Sequence, residues 1–412
     1  MALAARGRFA AVLFAIAPLT AGPARGADRL AVDPADPRLV ARPEVEAKLL
    51  ATPHGYFRFI NTGFAAEACD AFADVRDTLP EVNLHGDAHV EQYAVTSLGR
   101  GLTDFDDCTQ GKPVIDLVRF GTSLLLAARQ KGWSDEEWSF VAEFLRGYRD
   151  ALKNPDRLIP LPRLVTRVRK SFAGERAPAL EQARALIEDA PVSPQAFADT
   201  IGEFAGLIRF GRDDLPPWFF RVKEVGALRM GIGSALDEKY LLILEAWSDT
   251  PDDDLIVEAK QIRDLSGNPC MRTDVGASRI LDGQRLIAYE PFAFSAVVPR
   301  GDRYFWVHDW TDDYEEASID GVIRSSRDLK EIAYDAGIQL GRAHPKRPDG
   351  TSDARRRGAT RKAVERYAAR IRTVIGGMAD RTEAAWRAFR QAAAGSGAEM
   401  STREARPTRP TP

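Results

Sequence analysis

Cysteine is scarce: Cys69, Cys108 and Cys270 are the only three in 412 residues, and no two stand at the short spacing of a zinc-binding pair. A cysteine-based zinc module is therefore excluded. Positive charge is not in excess, because 57 Lys and Arg against 60 Asp and Glu leave a net charge of −3. That balance predicts no general attraction for nucleic acid or an anionic membrane. Histidine is rare too, and of His54, His85, His89, His308 and His344 only His85 and His89 lie close together. No internal repeat is visible, and beyond the N-terminal stretch no apolar run is long enough to cross a membrane.

What is present begins at the N-terminus. Arg6 and Arg8 precede an apolar run at 9–21 and then the small residues Ala24, Gly26 and Ala27, the order of a secretory signal peptide. A leader at 1–26 predicts a periplasmic or secreted protein. In that compartment two cysteines can pair. Cys69 with Cys108 is the favoured pair, since both flank the motif region described below, while buried free thiols remain the alternative.

With 44% hydrophobic residues, the chain can bury a large core and form two lobes. Residues 27–215 read as mainly helical, with "FRFINTGFAAEACDAFADV" as an amphipathic helix. Paired prolines in "DDLPPWFFRVKEV" mark a boundary. Beyond it, in 216–320, "VKEVGALRM", "KYLLILEAW", "DLIVEAKQI" and "DRYFWVHDW" are β-branched, aromatic and alternating, the pattern of a small antiparallel sheet. Helices resume in 321–394, and 395–412 reads as a disordered tail. The class is α+β.

Two stretches carry chemistry, "NLHGDAHVEQYAV" at 83–95 and "GLTDFDDCTQG" at 101–111. Phosphoryl transfer from a nucleotide needs one carboxylate to take or orient the proton of the attacking hydroxyl and another to hold Mg²⁺ against the phosphates. In kinases an amide side chain five residues after the first carboxylate takes a second metal. Here His85 and Gly86 lead into Asp87, and the amide five residues on is Gln92. Asp104, with Asp106 as helper, is the second carboxylate, and a short hairpin between the two motifs can bring them to one metal site. Aspartates that merely cap polar turns are the bland alternative. Downstream, "RMGIGSALDEKYLLILEA" reads as strand, turn and strand, with Gly231, Gly233 and Ser234 in the turn; such a turn brings backbone amides close to phosphates. The next strand puts Lys260 at its end, where an ammonium reaches a nucleotide's phosphates.

In sequence order, "HGDAHVEQYAV", "LTDFDDCTQGKPVIDLVRFGTSLLLAAR", "GIGSALDEKYLLILEA" and "YDAGIQLGRAH" resemble the bacterial family named domain of unknown function twenty-two fifty-two, over most of the chain. The "HGD" and "DFD" pair is also similar to aminoglycoside and choline phosphotransferases. That resemblance implies a two-lobed, protein-kinase-like fold, with Asp87 as catalytic base, Gln92 and Asp104 as metal ligands, Asp116 bracing the catalytic loop and Lys260 binding phosphate. The family pattern has Asn where Gln92 stands and a further Gly where Leu236 stands. In kinases the Gly-rich turn and lysine precede the catalytic loop; here they follow it, which implies a circular permutation.

The expected function is a kinase-like phosphotransferase or nucleotidyltransferase using ATP or another nucleotide with Mg²⁺ and an acceptor of undetermined identity. Two other readings compete. A kinase-like protein without transfer would bind a ligand or partner in the periplasm. A metallohydrolase would use His85, Asp87 and His89, which share one side if "LHGDAH" is extended. An exported protein meets little ATP, which favours the hydrolase, but that reading leaves the glycine turn and Lys260 unexplained.

Overall fold

The computed structural model describes residues 28–233, 235–273 and 276–404. The leader expected at 1–26, Ser234 and the last eight residues of the expected tail lie outside the described residues. The chain opens with α1 (Pro37–Val40), α2 (Pro43–Ala51), α3 (Pro53–Phe59) and α4 (Asn61–Asp70). Four short strands follow, β1 (Val82–Leu84), β2 (Tyr93–Thr96), β3 (Arg100–Leu102) and β4 (Thr109–Gly111), then α5 (Val114–Gln130), α6 (Glu137–Lys153), α7 (Arg163–Arg169), α8 (Ala177–Asp189) and α9 (Ala198–Arg209). The middle of the chain holds β5 (Val222–Ala227), β6 (Lys239–Leu244), β7 (Leu255–Gln261), α10 (Arg279–Ile287), β8 (Ser295–Arg300), β9 (Arg303–Asp309) and β10 (Tyr314–Glu316). It closes with α11 (Ser326–Ala343), α12 (Ala354–Arg366) and α13 (Ala368–Glu404), so the backbone stays helical well past residue 395. The fold is α+β, and none of the described helices is long and apolar enough to cross a membrane.

Local chemistry explains the main boundaries. Helices α2 and α3 start with proline in the first turn, where its missing N–H costs nothing. Ser325 and Asp328 form a reciprocal capping box at the start of α11. The single helix expected around residues 57–75 is instead two, because the chain turns at Ile60, which ends α3 and begins α4. The turn lets α3 contribute Arg58 and α4 contribute Asn61 to the same loop cluster.

The largest core joins α5, α6, α11 and α13 through Phe120, Leu124, Phe144, Tyr148, Ile332 and Ile375. Helices α6 and α11 approach so closely that a Cβ at Gly337 would stand 2.2 Å from the Phe144 carbonyl oxygen. A separate core lies under the five-stranded antiparallel sheet, ordered β5-β6-β7-β9-β8. Its one face packs Leu242, Leu244 and Val257 against Ile201 and Phe204 of α9. The other packs Leu241, Ile243 and Ile256 against Leu180 and Ile187 of α8. Strand periodicity puts Glu258 and Lys260 on that second face, toward the end of β7.

The disulfide differs from the expected pair. Cys69 bonds Cys270, across 201 residues, and Cys108 is a buried free thiol. Cys69 on α4 faces the segment after β7, which is held on β4 by the Lys112 N–H donating to the Cys270 carbonyl and by a bridge between Gly111 and Met271. Cys108 points the other way, into a cluster with Phe105, Ile280 and Trp306. Closeness along the chain was the wrong guide.

Candidate active site

The site is built on the hairpin between β1 and β4. After Leu84 the backbone turns through Gly86, which has φ +83° and where a Cβ would stand only 2.1 Å from the Asp107 carbonyl oxygen, so no side chain fits. Asp116, in the first turn of α5, receives the N–H groups of His85 and Gly86, each at 2.8 Å. Its Oδ2 lies 3.1 Å from Nε2 of His344, and Nδ1 of that ring lies 2.6 Å from the Tyr148 hydroxyl. With Nε2–H donating to the carboxylate, Nδ1 accepts from the phenol. Burial opposes ionisation of Asp116, but the bonds from His344 and the loop amides hold its carboxyl below the usual range. The His85 ring bonds the Thr103 carbonyl through Nε2 at 2.9 Å, tying one motif to the other.

Asp87 is gripped from behind. Arg119, three residues after Asp116 and so on the same face of α5, donates Nε–H to Oδ1 at 2.8 Å, and its Nη2 lies 2.7 Å from the same oxygen. The guanidinium stacks 3.7 Å from the centre of the Phe57 ring and donates to the Phe57 carbonyl. Oδ2 is left facing forward, 3.9 Å from Nε2 of His89. Burial, with Asp107 nearby, pushes the Asp87 carboxyl above its ordinary range in spite of Arg119, which makes it a better proton acceptor.

The second motif meets the sheet. Asp104, a non-glycine residue at φ +62°, places Oδ1 2.6 Å from Nζ of Lys260 and receives Nε2–H of Gln92 on Oδ2 at 3.1 Å. Lys260 also lies 3.0 Å from Asp106 Oδ2. The ammonium thus spans both carboxylates across a sequence gap of about 150 residues. Burial and the neighbouring Asp104 push Asp106 up to about 8, while Asp104 stays well below its usual range, where Lys260 outweighs burial. Asp107 accepts from Asn61 at 2.8 Å and lies 3.6 Å from Arg263, which pairs with Asp237 at 2.6 Å. Arg58 lies 3.1 Å from Glu91.

The turn between β5 and β6 lies over this cluster. Gly231 has φ +88°, and a Cβ at Gly233 would stand 3.3 Å from the Arg58 carbonyl oxygen and 3.6 Å from Asp87 Oδ2. Beneath it is a cavity of about 20 Å³ lined by Arg58, Asp87, His89, Gln92, Asp104, Asp106, Asp107, Gly231, Ile232, Gly233 and Arg263. That volume holds about one water. A larger groove of about 670 Å³, between α9 and the segment around Trp218, shares none of these residues.

Seven of the residues expected from the motifs therefore converge: Asp87, Gln92, Asp104, Asp106, Gly231 and Gly233 line the cavity, and Lys260 joins them by ion pairs. Asp116 and His85 stand behind the loop. In the alternative clamp of His85, Asp87 and His89, the His85 ring is engaged with the Thr103 carbonyl, while His89 Nε2 and Asp87 Oδ2 stand 3.9 Å apart, a separation that two ligands of one ion can have. Among the described residues no three His, Cys, Asp or Glu side chains gather as such a metal site. For Mg²⁺ the test is different, since it takes one or two carboxylates and keeps oxygen ligands from phosphate and water. The oxygens of Asp104 and Asp106 suit it, and the Lys260 ammonium shows that this pair of carboxylates accepts a cation between them, whereas Gln92 turns its Nε2–H to Asp104 and would ligate only with its amide reversed.

Arg58, Arg119, Arg263 and Asp107 were not singled out from the sequence. Arg119 had a signal, a charge within the apolar run "VIDLVRFGTSLLL" on the Asp116 face. Arg58 had a weaker one in "YFRFI", and Arg263 had none.

No curated protein and no solved structure matches the chain. A family profile described as an uncharacterized protein conserved in bacteria, DUF2252, matches residues 41–223 and 207–392, spanning both motifs, the glycine turn, Lys260 and the His344 helix end. The chain belongs to the bacterial DUF2252 family.

Proposed function

We propose that this is a kinase-like phosphotransferase acting outside the cytoplasm. The observation that carries the reading is the convergence of Lys260 with Asp104 and Asp106 beside Asp87 and beneath the glycine turn. These are the parts that transfer needs: a forward-facing carboxylate, oxygen ligands for a metal, a lysine and a turn of backbone amides. Asp87 Oδ2 accepts the proton of an acceptor hydroxyl as that oxygen bonds to phosphorus and the bond to the nucleotide diphosphate breaks, while Arg119 holds the carboxylate in place. Mg²⁺, when bound with ATP or another nucleotide, would sit on Asp104 and Asp106, and on Gln92 with its amide reversed, and neutralise phosphate charge. We further infer that the arrangement is kinase-like in a circularly permuted order, since proximity in space and not chain order sets catalysis. The Cys69–Cys270 disulfide supports export, as such bonds persist in oxidising compartments.

A nucleotide needs several hundred Å³, so the 231–233 turn must lift from Asp87 before one enters. Gln92 and Leu236, standing where the family pattern has Asn and Gly, favour a second reading, ligand binding without transfer. Thermal stabilisation separates the readings. ATP with Mg²⁺ is expected to raise the melting temperature of the wild type and of His89→Ala, but not of Asp104→Ala, and purified protein is expected to carry no stoichiometric transition metal. Stoichiometric zinc that disappears in His89→Ala would instead promote the hydrolase. Stabilisation without any transferred phosphate would leave the binding protein.

Gly233→Ala tests the lid. The added methyl meets only ordinary or slightly tight contacts in the closed form, so the melting temperature should hold. It stands over Asp87, so kcat/KM should fall at least about tenfold, roughly 1.4 kcal/mol. Unchanged kinetics would place the acceptor elsewhere.

A further inference from the structure

Two guanidiniums line the cavity with no task in the transfer chemistry above. Arg58 comes from α3 and Arg263 follows β7, and both are more than four-fifths buried. Each is anchored from behind, Arg58 by Glu91 at 3.1 Å and Arg263 by Asp237 at 2.6 Å. Glu91 is itself held, because its Oε1 receives the Ile319 N–H at 3.1 Å. Fixing an arginine this way removes most of the entropy cost of ordering it later. Arg58 keeps a buried Nε–H with no partner, and Asp107 keeps a buried Oδ1 with none. The cluster is therefore complete as a scaffold and incomplete as a hydrogen-bond network.

We propose that Arg58 and Arg263 form the oxyanion seat of this site, holding the non-bridging oxygens of a phosphoryl group above Asp104 and Asp106. This deepens the phosphotransferase reading and rests on it. Arginine suits the task because its planar fork donates to two oxygens of one phosphate at once. A consequence follows from the charge around the cavity. Asp87, Asp104 and Asp106 line the same cavity and repel a free phosphate dianion, and a divalent cation held between Asp104 and Asp106 would offset that repulsion. The seat therefore binds phosphate only together with Mg²⁺, and the two ligands strengthen each other's binding by the same factor.

The probe is inorganic pyrophosphate, titrated calorimetrically into the full chain with and without Mg²⁺. Wild type should bind it at least about tenfold more tightly with Mg²⁺ present. Arg58→Gln and Arg263→Gln should each weaken Mg²⁺-dependent binding about 10- to 100-fold, the range for lost charge-assisted hydrogen bonds. Arg58→Lys and Arg263→Lys keep the charge and guard against misfolding; they should recover only part of the loss, because the two-oxygen geometry is gone. The seat is overturned if wild type binds no pyrophosphate, if binding ignores Mg²⁺, or if folded Gln and Lys variants bind as wild type does. Its failure is separable from that of the transferase. Magnesium-dependent pyrophosphate binding lost in these variants, with no transfer from any nucleotide, keeps the seat and sinks the transferase. ATP turnover with an unchanged KM in the Gln variants does the reverse.

Discussion

Asp87→Asn is expected to lower phosphoryl transfer by about 10²- to 10⁴-fold while nucleotide affinity changes little, because general-base catalysis acts in the chemical step and contributes in that range. The amide matches the carboxylate in shape and has no useful basicity. It also strips Arg119 of its partner, and Arg119 is only 1% exposed, with its guanidinium against Phe57. Breaking a buried pair by removing one member costs roughly 3–5 kcal/mol, so stability should fall too. The two effects come apart in a double variant. Asp87→Asn with Arg119→Met removes both charges, and replacing a whole buried pair by apolar or neutral groups is often nearly neutral. The double variant is expected to regain most of the lost stability and none of the transfer. If transfer returned with stability, Asp87 would be structural and the base would have to be sought elsewhere in the cavity. Matching losses of nucleotide binding and of rate in the single variant would argue against the base as well.

Cys270→Ser is expected to cost several kcal/mol of stability. The disulfide to Cys69 closes a sequence separation of 201 residues, and the chain-entropy relation gives about 5 kcal/mol for a loop of that size, with measured values more often about 2–4. The effect should reach the site. Cys270 lies in the connection that carries Arg263 away from β7 and returns through Arg279, whose guanidinium donates to the carbonyls of Asp106 and Cys108. Backbone bonds from Lys112 to Cys270 and from Arg272 to Gln110 pin the same segment on β4. Denaturant unfolding of oxidised wild type against Cys69→Ser, Cys270→Ser and the double variant should show three near-equal losses, and Cys108→Ala should fall outside that group. Non-reducing peptide mapping should recover the 69–270 linkage with Cys108 open to alkylation after unfolding. A linked 69–108 peptide, or a loss below about 1 kcal/mol, would refute the assignment.

Read by itself, the sequence determined what depends on short spacing and strand period. "HGD" and "TDFDD" flank a hairpin of about ten residues, so Asp87 and Asp104 could hardly end far apart. Asp116 follows β4 by one helical turn and reaches back to the loop amides for the same reason. The alternation in "KYLLILEAW", "DLIVEAKQI" and "DRYFWVHDW" is local as well, and those three strands pair antiparallel in one sheet. Partners were another matter. Cys69 lies 39 residues from Cys108 and 201 from Cys270, yet it bonds the farther one, because the entropy of loop closure grows only with the logarithm of length and tertiary packing decides the rest. Arg58, Arg119 and Arg263 come from three separate segments, and their meeting around Asp87 and Asp107 leaves little trace in any one of them. Lys260 was legible as a strand-end lysine, but its hold on both Asp104 and Asp106 exists only once the five-stranded sheet docks on the hairpin. Tertiary structure also closed the 231–233 turn over Asp87, since a contact between backbones more than a hundred residues apart is set by how two cores pack and not by the residues of either strand.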